Sequence, residues 1–360
     1  MSVKIIAIVS VLCMGTVSLS PNPPIHKGCD LPVEVRINMN IGTKEECLQA
    51  GDCWKPEPGS PNCYWPHNDT SVKVYVHMMP WFETKETNPD PDRIGKWGQH
   101  WSMKNMDPDI KDASGKRQIA SHFYPLIDLY ASGDTHVIDW QLGLMKLSGV
   151  TGVLIDWPGT AKVWDYTGNA ANCEAIVKGC ERVGLDYAIV YEDHNLGMAR
   201  DAGKLNVSII EQGKADMAYL RDKHMVNKNY IQLNGAPLIL DFGPQTLQGP
   251  DWDQVYSVMP KPPTFLTLWN QIDQGGKMAK GEFAWVYQNY MDGLKNFYHF
   301  RSQVPLKFGV AYPGFESAYS EGGWPGPTWS IKYSTDTMEA TFDYARAYGV
   351  NYIQVATWND

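Results

Sequence analysis

Long apolar runs are what this sequence of 360 residues has least of. Beyond the stretch from Ile5 to Val17, no segment approaches the ~20 apolar residues that a membrane-crossing helix needs. The remainder therefore reads as soluble, with no membrane partner. Basic residues are also few, 31 Lys and Arg against 40 Asp and Glu, for a formal net charge of −9. Nucleic-acid phosphates are held by clustered cations, so this balance argues against a nucleic-acid partner. No Gly-rich phosphate turn follows the first apolar run, where Met78-Met79-Pro80-Trp81-Phe82 stands instead. An open doubly wound nucleotide-binding sheet is disfavoured by that absence. A serine nucleophile elbow is missing as well.

What is present begins with a pattern for export. Lys4, the apolar run to Val17 and the small residues Ser18 and Ser20 have the make-up of a secretory signal peptide over residues 1–20. A secreted, extracellular location is the expectation, and the sequons at Asn68 and Asn206 would then be glycosylation acceptors. Cys13 would leave with the signal, while Cys29, Cys47, Cys53 and Cys63 crowd into one short stretch. In an exported chain that clustering reads as a disulfide framework, for which four cysteines allow three pairings. Cys173 and Cys180 share a helical pattern but would stand ~10 Å apart along its axis. That is beyond bridging reach, and they are expected as buried apolar residues.

The first cluster carries a resemblance. Cys29, Arg36-Ile37-Asn38-Met39, Thr43-Lys44-Glu45-Glu46-Cys47, Gly51-Asp52-Cys53-Trp54 and Asn62-Cys63-Tyr64-Trp65-Pro66 resemble a P-type trefoil module spanning residues 27–66. That family has six cysteines, bridged first to fifth, second to fourth and third to sixth. Met39 and Asp52 stand where the second and fourth would be, and these are partners of one bridge. The resemblance thus implies Cys29 with Cys53 and Cys47 with Cys63, and a carbohydrate-binding module for which mucin glycans are a candidate partner.

From residue 72 the chain alternates short apolar runs with helical patterns. Candidate strands are Lys73–Pro80, Gly152–Trp157, Asp186–Glu192, Pro237–Phe242, Thr264–Trp269, Glu282–Tyr287, Lys307–Tyr312 and Tyr352–Trp358. Helices are expected over Asp134–Ser148 and Thr335–Tyr348, stopped by Gly149 and Gly349, and a hairpin at Asn234-Gly235. Eight repeats predict an α/β fold, a closed (β/α)8 TIM barrel over residues 72–360 preceded by the small disulfide-rich module. The connection 83–133, with Trp97, His100, Trp101, His122, Phe123 and Tyr124, is long enough to be functional and should cover the catalytic end.

Barrel enzymes carry their chemistry at the C-terminal ends of the strands. Those ends are rich in aromatics, carboxylates and amides and almost devoid of Arg and Lys, which suits a neutral polyhydroxy ligand and not phosphoryl transfer. Asp156, Glu192, Asp193, Asp241, Glu316 and Asp360 are the carboxylates available. Glu192, Asp193 and His194 cannot converge on a metal if adjacent strand residues face opposite sides, so no metal and no cofactor is called for.

Val74-Tyr75-Val76-His77-Met78-Met79-Pro80-Trp81-Phe82, His122-Phe123-Tyr124-Pro125-Leu126-Ile127, Lys146 to Trp157 and Thr357-Trp358-Asn359-Asp360 resemble the glycoside hydrolase family 71 and 99 group. That resemblance implies a hydrolase of α-linked glycans (α-glucan, α-mannan or a mucin-type chain) working with paired carboxylates. Asp360 matches one catalytic position of the family, and Glu192 is the second candidate. The family's other motif glutamate would fall three positions after Asp360, so the chain reads as ending on its eighth strand. His77, Trp81, Asp156, Trp157, His194, Asp241, Trp269 and Trp358 are the expected substrate contacts. A lectin-like glycan-binding protein without turnover is the rival expectation.

Overall fold

The computed structural model describes residue 29 and residues 42–49, 53–64, 72–300 and 304–360. The expected signal peptide and Asn68 lie outside these residues. In the N-terminal region, a short helix Lys44–Gln49 precedes the antiparallel pair Cys53–Trp54 and Cys63–Tyr64. Disulfides join Cys29 to Cys53 and Cys47 to Cys63, the pairing that the trefoil resemblance implies. Cys47 and Cys63 are buried in the same continuous apolar core as the large domain.

The large domain is an eight-stranded parallel barrel. Its strands are β1 Lys73–Met78, β2 Gly152–Trp157, β3 Asp186–Tyr191 and β4 Ala236–Asp241, then β5 Thr264–Leu268, β6 Ala279–Phe283, β7 Lys307–Ala311 and β8 Tyr352–Val355. Each pairs in parallel with the next, β8 returns to β1, and Ile189↔Ile239 through Tyr191↔Asp241 joins β3 to β4. Because each strand is covered on both faces, its sequence is a nearly continuous apolar run. The sixth strand begins three residues before its expected start and ends at Phe283. Trp285 to Tyr287 therefore belong to the loop beyond it.

Helices α1 Thr135–Leu147, α2 Tyr166–Val183, α3 His194–Asp201, α4 Ile209–Tyr219, α5 Pro250–Val255, α6 Tyr290–Lys295 and α7 Thr335–Ala347 surround the strands. Asp134 caps α1 by accepting from His136 N and Val137 N, and Ser334 caps α7 through Thr337 N. Gly149 and Gly349 follow these helices at φ 81° and 70°, a conformation that glycine adopts without strain. The Asn234-Gly235 hairpin forms between Gln232–Leu233 and the start of β4. Cys173 and Cys180 are unbridged and buried in α2.

Inside the barrel, Phe308 packs against Tyr75 and Tyr352, with centroids 5.6 and 5.0 Å away. Two residues further along β1 and β8 come His77 and Gln354. His77 packs edge-on against Trp285 at 4.8 Å, and Trp285 against Phe242 at 4.9 Å. Phe308 and Tyr352 face each other on the neighbouring strands β7 and β8, whereas the Tyr75–Phe308, His77–Trp285 and Trp285–Phe242 contacts join non-adjacent strands or the loops just beyond them, so aromatic rings plug the barrel beneath the strand ends.

Replacing Cys47 and Cys63 together by serine should cost the N-terminal region about 3 kcal/mol, the value of a bridge closing a loop of this size. Limited proteolysis should then cut between residues 29 and 64 well before the barrel; unchanged resistance would contradict this.

Candidate active site

Strand alternation decides which side chains reach the mouth. On β2, Asp156 points inward and Trp157 outward, and the two meet different surroundings. Trp157 is 1% exposed and stacks on Tyr219 of α4, with ring centroids 5.8 Å apart. It belongs to the layer between strands and helices, which corrects its expected role as a sugar-stacking face. Asp241 is likewise fully buried on the outer side of β4, where its Oδ1 accepts from Asp193 N at 3.3 Å and its charge acts on Tyr256. It is not a ligand contact either. Asp193, just past β3, is also structural: its carboxylate accepts from the backbone N–H groups of Gln245, Thr246 and Leu247 and so pins the loop after β4.

The inward set forms a carboxyl cluster. Asp156 is 3% exposed, and burial raises its carboxyl well above the ordinary range, with the charges of Glu192 and Asp360 adding to the effect. Glu192 is raised too, by burial first, while nearby His194 and the Asn195 amide favour its anion. Asp360 is exposed as a whole residue, yet its carboxyl is pushed up to about 6, chiefly by burial and then by Glu192. Three carboxyls from the ends of β2, β3 and β8 thus act on one another in surroundings that disfavour charge.

Asn359 explains how Asp360 is placed. Its amide accepts from Met79 N at 2.9 Å and donates to Met79 O at 2.8 Å, while Trp358 N donates to His77 O at 2.8 Å. The segment after β8 is therefore laced to the end of β1.

His77 lies beneath this cluster. Gln354 donates its amide to Ala284 O at 2.7 Å, leaving its Oε1 to face His77 Nδ1 at 3.3 Å. That partner assigns the proton to Nδ1 and leaves Nε2 as an acceptor. Burial lowers the imidazole to about 4, so it is neutral near neutrality. Nε2 is buried without a hydrogen-bond partner among the described residues, and so is His194 Nδ1.

Aromatic rings frame the mouth. Trp81 stacks on His100 at 4.2 Å with planes 4° apart, and Trp324 meets His100 edge-on at 5.7 Å. Burial and then the Arg93 charge lower His100 to about 3, so it stacks as a neutral ring. Trp269 packs against Tyr287 at 3.9 Å, and Trp358 is half-buried. The long connection crosses this end: Gln99 donates to Asp165, Lys104 N and Asn105 N to Gly322 O, and His122 Nε2 lies 2.8 Å from Ser317 O. Tyr319 comes from the segment held this way, and its phenol, raised to about 12 by burial, also feels Asp360 and Glu192.

No family model matches the sequence, and no curated protein does. Solved structures do match. The chain is similar to the GH99 endo-alpha-mannosidase from Bacteroides thetaiotaomicron, at 16% identity over 80% of this chain and 84% of that one, with TM-score 0.58. It is also similar to a glycoside hydrolase-like protein, at 11% identity over 85% and 87% of the two chains, with TM-score 0.56. The likeness is one of fold. It includes the barrel but assigns no residue of the mouth.

Tyr166, Asn195, Tyr319 and Trp324 are the members of this site that sequence reading missed. Asn195 alone had a signal, standing directly after Glu192-Asp193-His194; Tyr166 opens α2, Tyr319 opens a short helix after β7 and Trp324 lies in the loop beyond it, and no local pattern brings these segments to the mouth. Trp157→Ala and Asp193→Ala should both act on folding. The first should cost about 3–5 kcal/mol as a buried aromatic is lost, and the second about 1–3 kcal/mol or more as backbone donors are left unpaired. Urea unfolding checks both, and a Trp157→Ala protein of wild-type stability would return that side chain to the mouth.

Proposed function

We propose that this chain is a glycoside hydrolase acting on α-linked glycans, with Asp360 and Glu192 as its catalytic carboxyls. The observation that carries this is the cluster of Asp156, Glu192 and Asp360 at the strand ends, whose charges act on one another and which aromatic faces surround. In this reading Asp360 donates its proton to the glycosidic oxygen as the bond to the anomeric carbon breaks. Glu192, as the anion, assists at the anomeric carbon, and water supplies the oxygen that ends there and the proton that restores the acid. Asp156 stays neutral and donates to a sugar hydroxyl; His77 Nε2 accepts one. Trp81, Trp269 and Trp358 offer apolar faces to the sugar rings. An α-mannoside chain is the substrate suggested by the similarity in fold to an endo-alpha-mannosidase, and α-glucan and mucin-type chains remain in the same class. The N-terminal region serves in this proposal as a trefoil-like second glycan contact, and the protein acts outside the cell, glycosylated at the exposed Asn206 and at Asn68.

Reducing-sugar release from α-mannan, α-glucan and mucin tests the reading. Asp360→Ala and Glu192→Gln should each lower kcat by at least about a hundredfold while glycan affinity is kept. No release by wild type above the Asp360→Ala control, with glycan binding intact, would favour the lectin instead.

The pH dependence has a definite sign. An acid with its carboxyl near 6 must be protonated to work, so kcat/KM should fall as pH rises through about 6. Glu192→Gln removes a like charge, so the Asp360 carboxyl in that variant should titrate at lower pH, read by carboxyl-carbon NMR. An unmoved titration would separate the two groups.

A further inference from the structure

Glu192 meets titratable groups from every element around it: Asp156 near the end of β2, Asp165 and Tyr166 at the start of α2, Asp193 and His194 at the start of α3, Asp241 at the end of β4, Tyr319 after β7 and Asp360 after β8. Among the described residues, the hydrogen bond to its carboxyl comes from Asn195. Asn195 Nδ2 donates to Glu192 Oε2 at 3.0 Å, and Asn195 N donates to Glu192 O at 3.1 Å. The side chain and its backbone are thus held by one residue.

An amide can present either its oxygen or its nitrogen, and only the nitrogen suits a carboxylate. Tyr166 decides which it is. Its hydroxyl donates to Asn195 Oδ1 at 2.9 Å, which turns Nδ2 toward Glu192. Both residues are buried, so neither can exchange its partner for bulk water. Tyr166 is itself placed by the turn at Asp165, whose carboxylate accepts from Gln99 Nε2 at 2.9 Å and so fastens the turn to the long connection.

We propose that Asn195, oriented by Tyr166, is the positioning residue for Glu192: it engages Oε2 and leaves Oε1 as the oxygen turned to the ligand. The proposal rests on the hydrolase reading for its consequence in turnover, but the clamp itself concerns the ionisation and orientation of one carboxyl. A hydrogen bond to the anion favours that form over the neutral acid. Loss of the amide removes that help, and a carboxylate in its place adds repulsion.

The test is the titration of the Glu192 carboxyl by carbon NMR in the full chain labelled at glutamate, assigned with Glu192→Gln. The expected order of titration is wild type lowest, then Tyr166→Phe, then Asn195→Ala, with Asn195→Asp highest. Tyr166→Phe removes one hydroxyl and keeps the ring, so it reads the relay even if the Asn195 variants fold poorly. In glycan hydrolysis, Asn195→Ala should lower kcat about tenfold, the scale of one hydrogen bond to a charged group, with KM unchanged. Tyr166→Phe titrating as wild type, or Asn195→Asp no higher than Asn195→Ala, would overturn the proposal. The expected order in a wild-type protein that hydrolyses none of the glycans would instead defeat the hydrolase reading and leave the clamp standing.

Discussion

Pairing of β3 with β4 closes the sheet, and the mouth depends on that seam. Ile189 to Tyr191 lie alongside Ile239 to Asp241, so the residues just beyond both strands are brought to one place. Glu192 turns inward at the seam, Asp193 turns to the loop after β4, and α3 begins immediately after. Asp193 gathers three backbone donors from that loop, which fixes the chain beside Glu192. A register slip of one residue would exchange inward for outward along β3 and place Tyr191 in the mouth instead.

Electrostatics at the mouth follow from that geometry. Carboxyls that would each ionise freely in water are brought near one another in surroundings that disfavour charge, and desolvation is the largest influence on all three. Their surroundings are not equal. Glu192 has an amide donor and a neighbouring imidazole, Asp156 has two like-charged neighbours, and Asp360 keeps access to solvent. Unequal surroundings separate the protonation states of chemically similar groups, which is what acid and base work at one site requires. The two histidines nearest the rings, His77 and His100, are held neutral by burial and contribute acceptor or stacking faces instead of charge.

Much of this was legible in the sequence. Continuous apolar runs marked the strands because strands covered on both faces need them, and Gly149 and Gly349 marked helix ends because their backbone angles favour glycine. Reading the residue after each run located Asp156, Glu192 and Asp360. The same reading erred on Trp157 and Asp241. Both stand at the last position of a strand, and the direction of a last residue depends on the strand's rotation within the barrel, which the residue's type does not report. Glu282, placed near the start of its expected strand, is instead the residue before the last of β6.

The sequence by itself determined the eight-repeat architecture, the clustering of cysteines ahead of it, and the carboxyl and aromatic character of the strand ends. These follow from composition and period, which are local. Tertiary structure alone decided which residues stand around those carboxyls and which strand-end residues face away from them. Tyr166 and Tyr319 join Glu192 and Asn195 from two separate segments. The hydrogen bond and charges they bring act over a few ångströms between residues far apart in the chain, so the pattern around Glu192 carries no trace of them.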